Sequence, residues 1–160
     1  MEIRFAQQQD IAPLLRLLEQ VGAIHAAGRP DLFRQDALKY DEEALRNLLR
    51  EKDRPIIVAV EAGKVLGYAF CVRKETANDS VLADDVSLYI DDLCVDEACR
   101  GQGVGTRLYE AALDLAKRLR AKRVTLNVWA FNAPALAFYE KCGMKMQRIF
   151  METTLEDTPC

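Results

Sequence analysis

Tyr89-Ile90-Asp91-Asp92-Leu93-Cys94-Val95, then four residues, then Arg100-Gly101-Gln102-Gly103-Val104-Gly105-Thr106, is the stretch on which the reading of this chain turns. Its first part alternates as a strand does, but Val86, Leu88 and Ile90 keep one phase and Leu93 and Val95 the other. Such a slip suggests a β-bulge near Asp91-Asp92, which would leave ladder groups unpaired for a ligand; tolerated variation on a regular strand reads the same residues equally well. Three glycines then open an amphipathic helix in which Val104, Leu108, Ala111, Ala112, Leu115 and Leu119 share a face. The first turn of a helix has unpaired N–H groups at the positive end of its dipole, and glycines let a bulky phosphate come close to them. Gly101 to Thr106 are therefore expected to cradle a diphosphate. A P-loop would need Lys and then Ser/Thr after its last glycine, where Thr106-Arg107 stand. A dinucleotide fingerprint would put its last Gly or Ala at 106 and would follow the first strand of a fold.

Outward from this centre the chain reads as alternating strands and helices. Residues 2 to 6 form a short strand. Asp10 then precedes Ile11, Leu14, Leu15, Leu17, Leu18 and Val21, the apolar face of a helix reaching about His25 and broken by Gly28-Arg29-Pro30-Asp31. Asp41, Glu42 and Glu43 start a second helix, where acids suit the positive end of the dipole. Ile56 to Val60, the turn Glu61-Ala62-Gly63-Lys64 and Val65 to Val72 make a hairpin, and Lys74 to Asp85 a polar loop. Beyond the glycine helix come a strand at Val124 to Val128, a short helix capped by Asn132 with Pro134 in its first turn and Gly143 at its end, and a last strand from about Met144 to Thr154.

Half of the 160 residues are apolar and 29% are charged, which fits one domain, expected over 1–155, with a short tail over 156–160. A net charge of -3 lacks the basic excess of a dedicated nucleic-acid binder. No apolar run approaches the ~18 residues of a membrane span, and Met1-Glu2-Ile3-Arg4 does not begin as a signal peptide does, so no membrane partner and a cytoplasmic location are expected. Five cysteines without a CxxC pair, beside the single histidine His25, point to reduced packing thiols and to no metal site.

The central stretch resembles the GNAT superfamily of acyl-CoA-dependent N-acetyltransferases, whose signature is Arg or Gln, two residues, Gly, one residue, then Gly or Ala. Arg100, Gly103 and Gly105 match it. The strand Tyr89 to Val95 before it and Asn132-Ala133-Pro134-Ala135-Leu136-Ala137-Phe138-Tyr139-Glu140-Lys141-Cys142-Gly143-Met144 after it are similar to the family as well. The likeness covers the whole chain in order, strongest from Val86 to Met144 and weakest from Gly22 to Tyr40. It implies an α/β fold of the α+β type: a mixed, mostly antiparallel twisted sheet of six to seven strands, splayed between strands 4 and 5 and flanked by about four helices. It also implies acetyl-CoA as co-substrate, with no metal. The contacts it implies come from Leu93, Cys94 and Val95, from Arg100, Gly101, Gln102, Gly103, Val104, Gly105 and Thr106, and from Asn132, Ala135 and Tyr139.

Acetyl transfer to nitrogen needs a neutral amine, a polarised thioester carbonyl and a protonated leaving thiolate. An alkyl amine with a pKa of roughly 10 is protonated at neutral pH, so a carboxylate, directly or through water, has to take its proton. Resemblance to members that acetylate polyamines makes Asp91 the first candidate base, with Asp92 as the alternative. The Leu93 N–H would act as a one-amide oxyanion donor, and Tyr139 as general acid. On the acceptor side His25, Arg29, Asp31, Asp92 and Trp129 are candidates. Direct attack in a ternary complex is expected ahead of a covalent route through Cys94 or Cys99. The rival reading is a non-catalytic acyl-CoA sensor. The acceptor stays open among polyamine, aminoglycoside, amino acid and protein amine. Homodimers are common among proteins resembling this one, although no residue here marks an interface.

Overall fold

The apolar alternation of the hairpin becomes the middle of one sheet. The computed structural model describes residues 1–155, so the expected tail over 156–160, with Cys160, lies outside the described residues. The chain divides into two compact units, Met1–Asn127 and the residues from Val128 on. The first holds five strands, β1 (Glu2–Phe5), β2 (Ile56–Glu61), β3 (Lys64–Thr76), β4 (Asp85–Val95) and β5 (Arg123–Leu126), in the sheet order β1-β2-β3-β4-β5. The first three pairings are antiparallel and β4–β5 is parallel, so the sheet is mixed as expected. It also holds three helices, α1 (Ile11–Gly28), α2 (Glu42–Leu48) and α3 (Val104–Arg118).

Two apolar layers cover the sheet. Ile11, Leu14, Leu17 and Leu18 of α1 and Leu45 and Leu48 of α2 pack with Ile56, Val58, Val60, Val65, Tyr68, Phe70 and Cys94. The alternate strand positions Ile57, Ala59, Ala69, Cys71, Leu88 and Ile90 are buried on the opposite face, where α3 brings Leu108, Ala112 and Leu115. Two acids at helix starts tie the α1/α2 layer to the loops. Asp10, almost wholly buried, receives Arg4 Nη1 and Nη2 at 2.6 and 2.9 Å and the Gln7 N–H at 2.7 Å. Burial works to raise its pKa, but those bonds and the Arg4 charge outweigh it and hold the carboxyl below the ordinary range. Asp41 caps α2 by accepting the Ala44 N–H at 2.7 Å.

The phase slip in β4 is a bulge. Phe70 faces Asp92 and Cys71 faces Ile90, so Asp91 has no counterpart on β3. The extra residue turns Leu93 and Val95 to the face already used by Leu88 and Ile90, and turns Asp92 and Cys94 to the side of Tyr68, Phe70 and α1.

Three expectations are corrected. The hairpin strands run further than read, since Thr76 pairs with Asp85, which confines the polar loop to 77–84. Helix α1 continues to Gly28. The sheet has five strands rather than six to seven, because residues 144–154 carry no regular structure and have no ladder partner among the described residues. Strand-like composition forms a strand only where a neighbour takes up its N–H and C=O groups.

Gly67 leaves no room for a side chain: a Cβ there would stand 2.6 Å from the Cys94 carbonyl oxygen and 3.1 Å from Leu108 Cδ1. A backbone oxygen cannot swing aside as a side chain can. Gly67→Ala is expected to destabilise the fold by roughly 1–3 kcal/mol, read as a lower midpoint in thermal or urea unfolding.

Candidate active site

The turn before α3 is built by conformation rather than by side-chain caps. Gly101 and Gly103 have φ of 77° and 79°, in the left-handed region, and Gly103 is the N-cap of α3. The Arg107 N–H returns to the Gly103 carbonyl at 3.1 Å. Among the described residues no protein acceptor meets the N–H of Gly101, Gln102, Gly103, Val104, Gly105 or Thr106. Six amides at the positive end of a long helix are thus open to an anion. The link from β4 is anchored from behind: Asp96 accepts from Arg16 Nη1 at 2.8 Å and from the Ala98 N–H at 3.2 Å, and Gln20 Oε1 accepts the Glu97 N–H at 3.1 Å. Gln102 Nε2 donates to the Ala98 carbonyl at 3.3 Å.

Beside the turn lies an unpaired length of strand. β5 pairs with β4 only at Ser87, Leu88, Tyr89 and Ile90, so β4 from Asp91 to Val95 has no strand on that edge among the described residues. The Asp96 N–H bonds the Leu66 carbonyl at 2.9 Å, which makes 66/96 a hydrogen-bonded pair. Alternation then makes 67/95 and 69/93 non-hydrogen-bonded pairs, so Leu93 and Val95 turn their N–H and C=O groups to the open edge. Arg100 Nε donates to the Val95 carbonyl at 3.3 Å, in keeping with that direction. The residues fit an acyl-CoA by this test: free amides for a diphosphate stand at one end, and ladder groups without a strand partner stand at the other for an amide-bearing arm. Cys94, between those groups, points inward with Sγ 3.6 Å from the Leu17 carbonyl, and burial pushes its thiol up to about 12. A thiol so hard to ionise is a poor nucleophile.

On the α1/α2 face the bulge gathers charge. Asp91 Oδ2 lies 2.9 Å from Lys39 Nζ and accepts the Tyr40 hydroxyl at 3.3 Å, and Arg54 Nη2 donates to that hydroxyl at 2.7 Å. Asp92 Oδ2 accepts the Tyr68 hydroxyl at 2.9 Å. Burial raises the Asp92 carboxyl above the ordinary range; Lys39, the Tyr68 hydroxyl and His25 pull it back without reversing this, and the Asp91 charge adds to it. His25, within electrostatic reach of Asp92 and Lys39, is lowered by burial and remains neutral at pH 7. Its ring lies 5.0 Å from that of Phe33. Arg29 and Asp31 pair with each other at 2.8 and 2.6 Å on the exposed turn that follows α1. The structure thus brings together His25, Asp91 and Asp92. Lys39, Tyr40, Arg54 and Tyr68 join them although the sequence reading singled out none of the four. Tyr68 carried a signal, a hydroxyl within the apolar run Val65 to Val72; Lys39 and Arg54 carried none, because their loops meet the bulge only in three dimensions.

The second unit contains α4 (Ala133–Lys141). Asn132 Oδ1 accepts the Ala135 N–H at 3.2 Å, so this carbonyl is spent as the helix cap. Trp129 and Phe131 stack with centroids 6.0 Å apart, and Tyr139, in the last turn of α4, meets Phe138 edge to face at 5.0 Å. Gly143, with φ of 87°, follows the helix end. Among the described residues no group of three or more His, Cys, Asp or Glu could hold a metal, and no helix is long and apolar enough to cross a membrane.

A mixed sheet whose fourth strand is bulged and half unpaired, running into a glycine turn that opens a helix, defines an acyl-transferase type of α/β protein. The chain belongs to the Acetyltransferase (GNAT) family, whose profile matches residues 18–144. A crystal structure of a mutant of the BH1408 protein from Bacillus halodurans is similar at 31% identity and a TM-score of 0.93, covering 97% of this chain and 99% of that one. N-alpha-acetyltransferase 30 of Schizosaccharomyces pombe is 27% identical over 65% of this chain, and the peptidyl-lysine N-acetyltransferase YjaB of Salmonella typhimurium is 43% identical over 36% of it. The chain spans 66% and 37% of the length of these two curated relatives.

The raised Asp92 carboxyl has a consequence for stability. A carboxyl bound more tightly to its proton when folded than when unfolded contributes stability below the unfolded value near ~3.9, and this is lost as pH rises through the folded value. Asp92→Asn is therefore expected to raise the unfolding midpoint at pH 7, by roughly a few degrees, and to leave it little changed at pH 3. Thermal unfolding at the two pH values checks this.

Proposed function

We propose that this chain is an acetyl-CoA-dependent N-acetyltransferase that passes the acetyl group to a primary amine by direct attack, as one transferase domain acting in the cytoplasm. What carries the reading is the pairing of free first-turn amides at Gly101 to Thr106 with the unpaired β4 edge at Leu93 and Val95. Acetyl-CoA, when bound, supplies an activated acetyl thioester. Arg100 and the glycine-turn amides hold its diphosphate, and Leu93 and Val95 pair with its amide-bearing arm. The Leu93 N–H faces the carbonyl oxygen as charge builds there. Of the two carboxylates named from the sequence, Asp92 has the environment of a base: its pKa is raised, and Tyr68 fixes one of its oxygens. Asp91 holds the ammonium form of the acceptor. The resemblance gives Tyr139 the role of protonating the departing sulfur.

The buried thiol of Cys94, pushed up to about 12, disfavours a covalent route through that residue, and the free Cys71, Cys94, Cys99 and Cys142 suit a reducing compartment. Two relatives are named for an N-alpha position and for peptidyl lysine, and a primary amine as acceptor is in keeping with both.

The reading is tested by calorimetry with acetyl-CoA and by thiol release against a panel of amines. Tight binding with amine-dependent release is expected. Binding without release would favour the acyl-CoA sensor instead. Tyr139→Phe is expected to lower turnover at least about tenfold while changing acetyl-CoA affinity by less than about twofold; equal losses in both would mark a structural tyrosine.

A further inference from the structure

The acceptor side already contains an amine. Lys39, in the connection between α1 and α2, places Nζ 2.9 Å from Asp91 Oδ2 and 3.4 Å from the Asp91 main-chain oxygen, the residue that the bulge leaves without a partner. The same ammonium lies 5.7 Å from the centre of the Tyr40 ring. Tyr40 is itself fixed, by its hydroxyl on Asp91, by Arg54 and by stacking on Phe70 at 5.6 Å. A carboxylate oxygen, a carbonyl oxygen and an aromatic face together make a seat for a primary ammonium on an unbranched alkyl stem. This is the chemical form of a lysine side chain or of one end of a linear polyamine.

We infer that Lys39 is a tethered occupant of the acceptor seat, and that the acceptor is a primary alkylamine which displaces it to reach Asp91 and Asp92. The inference rests on the transferase reading and names its substrate class. Displacement rather than joint occupancy follows from charge. Asp91 has one seat, the other neighbours are Asp92, neutral His25, and Tyr40 and Tyr68 as neutral phenols, and Arg54 already adds a cation behind Tyr40. A second ammonium at Asp91 would face both Lys39 and Arg54. Leaving is easy for Lys39, because its side chain is 40% exposed and its head can turn into water. Lys39 is also held in its charged form: burial works against the charge, but the Asp91 hydrogen bond and the Asp92 and Asp91 charges outweigh it. It therefore competes for the seat without being a good nucleophile. An α-amine next to a peptide bond lacks the slender stem that the seat fits, so it gains less from replacing Lys39.

The test uses the full chain with acetyl-CoA and three acceptors: 1,4-diaminobutane, Nα-acetyl-lysine N-methylamide, and a lysine-free peptide with a free N-terminus. For Lys39→Met and Lys39→Gln, KM for the two alkylamines is expected to fall about three- to fivefold, while acetyl-CoA affinity by calorimetry stays as it was. Lys39→Arg, which keeps the cation, is expected to restore the higher KM. An unchanged or higher KM in both neutral variants, or turnover confined to the peptide, overturns the inference and leaves the transferase reading standing. Acetyl-CoA binding without thiol release from any of the three would sink that reading itself, and this inference with it. Thermal unfolding of each variant separates these results from a loss of fold.

Discussion

The bulge at Asp91 is the constraint on which the rest depends. One residue without a counterpart on β3 changes which side of the sheet every later residue of β4 faces. It lets Leu88, Ile90, Leu93 and Val95 share one face despite their broken spacing, and it sends Asp92 and Cys94 to the other. Without the extra residue, Asp92 would face the layer under α3 and Leu93 the layer under α1. The two carboxylates could not then stand on adjoining positions beside Tyr68 and Lys39. A local irregularity of backbone pairing thus decides the polarity of both faces at once.

Charge follows from that geometry. Asp92 accepts the Tyr68 hydroxyl and has its carboxyl raised by burial of its charge, whereas Asp91 keeps an ion pair with Lys39. Two neighbouring carboxyls are set apart by their surroundings alone, and on the proposed function this supplies a proton acceptor and a cation holder from the same residue type. On the other side of β4, preparation is by omission: among the described residues the helix-start amides have no protein acceptor and the edge from Asp91 to Val95 has no strand partner, although the Arg100 side chain rests on the Val95 carbonyl.

Much of this was legible in the residues. The broken alternation at Val86 to Val95 carried the bulge, although it could not be told there from tolerated variation. The glycines ahead of Val104 carried the turn, because positive φ is a local demand that few other residues meet. Caps at Asp41 and Asn132 were readable for the same reason, being short-range bonds between near neighbours. What stayed hidden was non-local. Nothing in Met144 to Thr154 distinguishes a paired strand from an extended segment, since the distinction lies in a partner. Nor does anything around Lys39 announce that its ammonium ends on a carboxylate more than fifty positions away. Choosing between Asp91 and Asp92 also needed the fold, because the partners that separate them, Lys39 and Tyr40 for one and Tyr68 for the other, come from distant parts of the chain.

The half-unpaired edge of β4 has a further meaning. Open strand edges invite unwanted pairing between molecules, and proteins usually blunt them. On the proposed function the groups that close the edge belong to acetyl-CoA, which would recognise the native form, so each bound copy would draw the folding equilibrium toward the native side. The lifetime of the polypeptide would then be tied to the supply of its own co-substrate, and a shortage of acyl donor would thin out the catalyst as well as slow it.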